Sequence, residues 1–306
     1  MKKKKEIRGG LMKSVWSLDG VSEYPVSHPM VGQKRFYNIF DNFVEGLNNQ
    51  RMARIFPLIA DWGIGKSRIG FELVSEAIGK DKDWIVRNDK GKATEVRIFE
   101  EGFSDGILPV YISYHDMNHD YLGWSDWVAF GTYVALKGLA MTEIDANKEN
   151  LSFRQQAAQD LVNHLNPRGF STAKLRDILK IAKYDEEEIL KGGNILDECI
   201  NEAQQYFEKL GIKQFLIIAD EVESKTEVIK NDQTTDVEKK KKLDGEAIQL
   251  ISHAIKHENV RRKHPYVSFL LLCSPAIGDQ FEGLGALDRR QEILEIGRNS
   301  FADISD

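Results

Sequence analysis

The run Ala60-Asp61-Trp62-Gly63-Ile64-Gly65-Lys66-Ser67 constrains the fold of this chain more than any other feature. It lies between an apolar stretch from Ile55 to Ala60 and an amphipathic one from Ser67 to Ile78. Strand, glycine loop, lysine, hydroxyl and helix follow one another in the order that a phosphate-cradling loop requires. Gly63 and Gly65 let backbone N–H groups turn inward, where no Cβ blocks an anion. Lys66 sets an ammonium against the outer phosphates, and Ser67 offers a hydroxyl to Mg²⁺. The helix that starts there aims unpaired N–H groups and the positive end of its dipole at the same point. The general pattern opens on glycine, and the small residue Ala60 stands in that place here. Asp61, Trp62, Ile64 and Arg68 complete the segment expected to wrap the ligand.

A second run, Phe215-Leu216-Ile217-Ile218-Ala219-Asp220-Glu221, is continuously apolar and then ends in two acids. Such a run reads as a strand buried on both faces of a parallel sheet. Carboxylates just past its C-terminal end fall in the crevice where open α/β sheets bind ligands. Asp220 is placed to hold Mg²⁺, and Glu221 to polarise a water that attacks the terminal phosphate. The two runs together predict a site for a nucleoside triphosphate.

The 306 residues suit one large or two ordinary domains, and 42% hydrophobic content supplies a core. Charge is close to balanced, 42 Lys and Arg against 48 Asp and Glu, so the whole-chain field does not announce a nucleic-acid binder. The basic clusters Lys2 to Lys5, Lys239 to Lys242 and Arg261 to Lys263 read as solvated segments. Cys199 and Cys273 sit inside apolar patterns, as in a reducing compartment. No apolar stretch is long enough for a bilayer and no secretory segment follows the basic N-terminus, so the expected location is the cytoplasm, with no membrane partner.

Residues 1–30 lack periodicity and read as an N-terminal arm. Phe36, Ile39, Phe40 and Phe43 then share a helical face. Strands are expected at Leu108 to Tyr114, Tyr266 to Cys273 and Glu292 to Ile296, with a weaker one near Glu95 to Phe99. The pattern from Trp124 to Leu210 is helical, and its stripe Leu196, Cys199, Ile200, Ala203, Tyr206 and Phe207 reads as core packing. The segment from Ser224 to Gly245 has almost no apolar content and reads as a loop. Alternating strands and helices predict an α/β fold, a parallel sheet with helices on both faces. His115, Asp116, His119 and Asp120 follow one strand, but with no Cys or distant His pattern to complete a metal set they read as a polar loop.

This ordered set resembles the AAA+ ATPases, in the branch that includes origin-recognition and related initiator ATPases, from about His28 to the C-terminus. The resemblance implies a P-loop core over residues 31–306, a five-stranded parallel sheet with a helical insertion at about 124–210. Val31-Gly32-Gln33 resembles the box that cups adenine in that family. Ser274 falls where its sensor 1 contacts the γ-phosphate or attacking water. Arg289 and Arg290 precede the last strand, where the family carries an arginine finger that acts on a neighbouring subunit. Ser113 or His115 falls where a polar residue restrains the catalytic glutamate. The family's helical lid and second sensor arginine would begin near Asp306, so either a longer protein or a partner chain would supply them. The organisation is also similar to ATPases of bacterial anti-phage systems such as the BREX type.

The resemblance therefore implies an Mg²⁺-dependent ATPase. It would work as a homo-oligomer or with AAA+ partner subunits, coupling turnover to remodelling of DNA or protein. A nucleotide-gated signalling switch of the STAND class, with little turnover, is the alternative. Adenine rather than guanine also follows from the resemblance, as no Asn-Lys-x-Asp motif is present.

Overall fold

The computed structural model describes residues 31–33, 43, 46–47, 53–60, 65–79, 84–87, 93–96, 106–113, 127–142, 151–184, 188–189, 193–221, 258–274 and 294–296. In chain order the strands are β1 (Val31–Gln33), β2 (Arg54–Ala60), β3 (Trp84–Arg87), β4 (Ala93–Val96), β5 (Ile107–Ser113), β6 (Gln214–Asp220), β7 (Val267–Cys273) and β8 (Leu294–Ile296). The helices used below are α1 (Lys66–Ala77), α2 (Trp127–Ala140), α3 (Phe153–Leu165), α4 (Thr172–Ile178), α5 (Gly193–Glu208) and α6 (Glu258–Lys263).

Five strands form one all-parallel sheet in the order β5-β6-β7-β2-β8. β6 and β7 are central, which is why they read as unbroken apolar runs rather than as alternating ones. Every residue of β7 is buried, and β6 is buried from Phe215 onward. The expected strand at Tyr266 to Cys273 begins one residue later, and that at Leu108 to Tyr114 is displaced by one. β1, β3 and β4 form a separate small sheet, β1 parallel to β3 and β3 antiparallel to β4. Of these the sequence pointed only to the region of β4.

Register and the two-residue period of strands fix what lies on each face. Tyr111, Ile218 and Leu270 are in register, and α1 lies against that face, where Gly70 meets Tyr111 and Ile218. Ile217 and Phe269 point the other way, and the buried Trp127 of α2 packs on Phe269 with ring centroids 4.7 Å apart. Phe207 of α5 meets Phe215 edge-on at 5.2 Å on that same second face. Helices thus cover both faces, as expected. The predicted α5 stripe from Leu196 to Phe207 is buried at every named position.

In the cluster Arg261 to Lys263, Arg262 and Lys263 are exposed as the solvated reading expects, and Arg261 departs from it. The cluster ends α6, with Arg261 buried and its carbonyl accepting from Ala53 N at 2.8 Å. Lys263 reaches Asp197 of α5 at 2.6 Å, so the charges tie this turn to α5 just before β7. No helix among the described residues is long and apolar enough to cross a membrane. The arm at 1–30, the segment 224–245 and the cluster from His115 to Asp120 lie outside the described residues.

Candidate functional site

The site forms at the C-terminal ends of the central strands. β2 leads to the loop, and Gly65 takes φ +96°, the left-handed conformation that glycine adopts without a Cβ penalty. Its carbonyl then accepts from Ile69 N at 3.0 Å, closing the first turn of α1. α1 leaves β2 and crosses the sheet toward β6 and β5, skipping the intervening β7. That crossing brings Ser67 Oγ to within 2.5 Å of Asp220 Oδ2, a contact between residues 153 positions apart. Lys66 is buried at the same helix start, 9% exposed.

Asp220 ends β6 with both carboxylate oxygens hydrogen-bonded. Oδ1 accepts from the Glu221 backbone N–H at 2.8 Å. Oδ2 accepts from Ser67 and also from the Tyr111 hydroxyl on β5. Burial, and then the adjacent Asp220 charge, push the Tyr111 phenol far above its ordinary range, so it stays protonated and donates.

Glu221 has φ +59°, a left-handed conformation for a residue that has a Cβ. Such backbone costs of order 1 kcal/mol and gathers at functional positions. The conformation swings the side chain out of the strand line toward β5. There Ser113, paired with Asp220 in the ladder, donates to Glu221 Oε2 at 2.7 Å. Arg154 of α3 stands 3.9 Å from the same oxygen, with both side chains about half exposed. A reciprocal cap fixes the start of α3: Gln155 N donates to Ser152 Oγ at 3.3 Å, and Ser152 N to Gln155 Oε1 at 2.9 Å. Arg154 therefore projects from an anchored turn.

Ser274 follows β7, buried, between the loop strand and the acid strand. Arg68 turns along α1 and pairs with Glu72 at 3.4 Å. Ala60 is the last residue of β2, while Val31 and Gly32 run in the small sheet beside Ile85 and Val86. Asp61, Trp62, Gly63 and Ile64, and both Arg289 and Arg290, lie outside the described residues.

The structure thus brings together Lys66, Ser67, Asp220, Glu221 and Ser113. It adds two side chains that the sequence reading missed, Tyr111 and Arg154. Tyr111 left one signal, a glycine in the middle of a predicted helix with no turn to justify it; Arg154 left none. The donor set suits Mg²⁺, since a hydroxyl and a carboxylate meet as hard oxygen ligands beside a buried ammonium. Among the described residues no group of three or more His, Cys, Asp or Glu gathers that could hold a metal ion, so the Ser67–Asp220 pair stands without a further side-chain carboxylate or imidazole cluster. Comparison with protein-family models, with curated proteins and with solved structures finds no match to this chain.

Proposed function

We infer that this chain is an Mg²⁺-dependent ATPase with a P-loop core of the AAA+ type. The observation that carries the reading is the Ser67–Asp220 contact, with Lys66 and Glu221 flanking it. The phosphate loop and the acid strand, far apart in sequence, meet at the two groups that would share the metal. Sheet order supports it too, because β7 between β2 and β6 sets Ser274 between loop and acids.

Lys66 and the N–H groups at the start of α1 hold the outer phosphates. Ser67 and Asp220 hold Mg²⁺, which when bound neutralises charge on the phosphate oxygens. Glu221 accepts a proton from the attacking water once it leaves Ser113. Ser274 donates to the terminal phosphate or to that water. Arg289 or Arg290 of one subunit acts on its neighbour's site, so turnover requires a homo-oligomer or AAA+ partner subunits. Val31 and Gly32 belong to the adenine box. The work coupled to turnover is remodelling of DNA or protein in the cytoplasm, with anti-phage defence as the setting.

One observation favours a second reading, the nucleotide-gated switch of the STAND class. Glu221 is engaged by Ser113 and Arg154 rather than set out toward a substrate, which is the arrangement of a slow site.

Steady-state ATP turnover measured against protein concentration, with and without double-stranded DNA, separates the two. Specific activity that climbs with concentration and falls at least a hundredfold in Glu221→Gln, with ATP binding kept, supports the ATPase. Tight binding with flat, negligible turnover supports the switch. Binding that survives unchanged in Lys66→Ala refutes the P-loop assignment that both share.

A further inference from the structure

Tyr111 is a polar side chain at the centre of this site that the roles above leave unused. It stands on β5, the strand beyond β6, in register with Ile218. Its ring lies parallel to Phe71 of α1, centroids 4.3 Å apart and planes 17° apart. A Cβ on Gly70 would lie 2.6 Å from Tyr111 Cε2 and 2.9 Å from Ile218 Cγ2. The helix can therefore sit over this ring only because residue 70 has no side chain. From that slot the hydroxyl donates to Asp220 Oδ2, the oxygen that also accepts from Ser67.

A phenylalanine would fill the same space against Phe71 and Gly70. A hydroxyl carried into an apolar interface costs stability unless it finds a partner, and the partner here is the carboxylate assigned to the metal. We propose that Tyr111 is a positioning residue for Mg²⁺. Its ring, gripped by α1, fixes the Asp220 carboxylate through the hydroxyl, so that phosphate loop and acid strand present one rigid ligand pair. Donors that orient a metal-binding group from behind typically contribute about 10- to 100-fold in metal affinity. The proposal rests on the Mg²⁺–nucleotide reading above.

Tyr111→Phe removes the hydroxyl and keeps the ring. Binding of a fluorescent ATP analogue is measured in EDTA and through an Mg²⁺ titration, in the parent and in the variant. The expected result is metal-free affinity within about twofold of the parent, and an Mg²⁺ half-saturation raised about 10- to 100-fold. In an Asp220→Asn background the same change should add little, since the group that Tyr111 positions is already lost. A structural defect would persist in that background. An unchanged Mg²⁺ half-saturation in a variant that still binds nucleotide overturns the role of Tyr111 and leaves the ATPase reading standing. Equal losses with and without Mg²⁺ overturn it as well, by assigning the residue to the loop alone. A parent that binds no nucleotide overturns the reading itself, and the proposal with it.

Discussion

Gly70→Ala sets two effects of known sign against each other. In the middle of a helix, alanine is favoured over glycine by about 1 kcal/mol. At position 70 the new methyl would stand 2.6 and 2.8 Å from two Tyr111 ring carbons and 2.9 Å from Ile218 Cγ2. Carbon atoms rest at about 3.5–4 Å, so each neighbour must retreat by most of an ångström. Neither is the loose end of a long chain. The ring is held by Phe71 behind and by Asp220 at its tip, and Ile218 is 0% exposed in the central strand β6. Overpacking of this kind costs about 1–3 kcal/mol, and three contacts under 3.0 Å place it at the upper end. The net expectation is destabilisation by about 2 kcal/mol, roughly a 4 °C fall in melting temperature for a chain of this size. Gly138 of α2 provides the control, because a Cβ there meets nothing within 4 Å. Gly138→Ala should therefore stabilise by about 0.5–1 kcal/mol, with the opposite shift. Thermal melts and urea titrations of both variants check this. If both raise the midpoint alike, Tyr111 is not wedged beneath α1, and the positioning argument built on it falls.

Ser113→Ala removes the donor on Glu221 and should raise basal ATP turnover severalfold, since a half-exposed bond to a carboxylate contributes about 1 kcal/mol. A fall in turnover would make Ser113 part of the chemistry instead of a restraint on it. Burial pushes the Cys199 thiol up to about 11 from an ordinary 9.0. A raised acid stabilises the fold fully below the ordinary value, and the contribution disappears as pH climbs through the folded one. Iodoacetamide at pH 8 should therefore leave Cys199 unlabelled in the native chain, and the urea midpoint should drop between about pH 9 and 11. Rapid native labelling at pH 8 would contradict the burial.

What the sequence made legible is what local chemistry determines. Gly65, Lys66 and Ser67 stand out because a glycine in left-handed backbone opens α1 there, and Asp220 and Glu221 because two acids rarely terminate so apolar a run. The central strands β6 and β7 were readable for the same reason, burial on both faces leaving no polar break. The small sheet was not: β1 and β3 are three and four residues long, too short for a period to register. Strand order was also invisible, since it depends on which runs pair across more than 150 positions, as β2 and β7 do. Tyr111 was hidden by alternation. In sequence it marks only one side of β5, and its partner Asp220 lies 109 positions away.

Among the described helices between residues 127 and 208, α3 differs from α2 and α5 in reaching the candidate site. α2 and α5 lie on the face opposite α1 and are held by large apolar contacts, Trp127 on Phe269 and Phe207 on Phe215. α3 also packs beside α1 and the edge strand β5, and from its capped first turn sends Arg154 to Glu221. An exposed pair at 3.9 Å contributes well under 1 kcal/mol by itself. It acts on a residue already in left-handed backbone, at the same carboxylate oxygen that accepts from Ser113. On the ATPase reading, loss of so weak a pair changes the engagement of the glutamate by no more than about fivefold, while the core contacts of α2 and α5 are untouched. Low interaction energy at this point favours control, because a strong, buried pair at Glu221 would keep the carboxylate from ever reaching water.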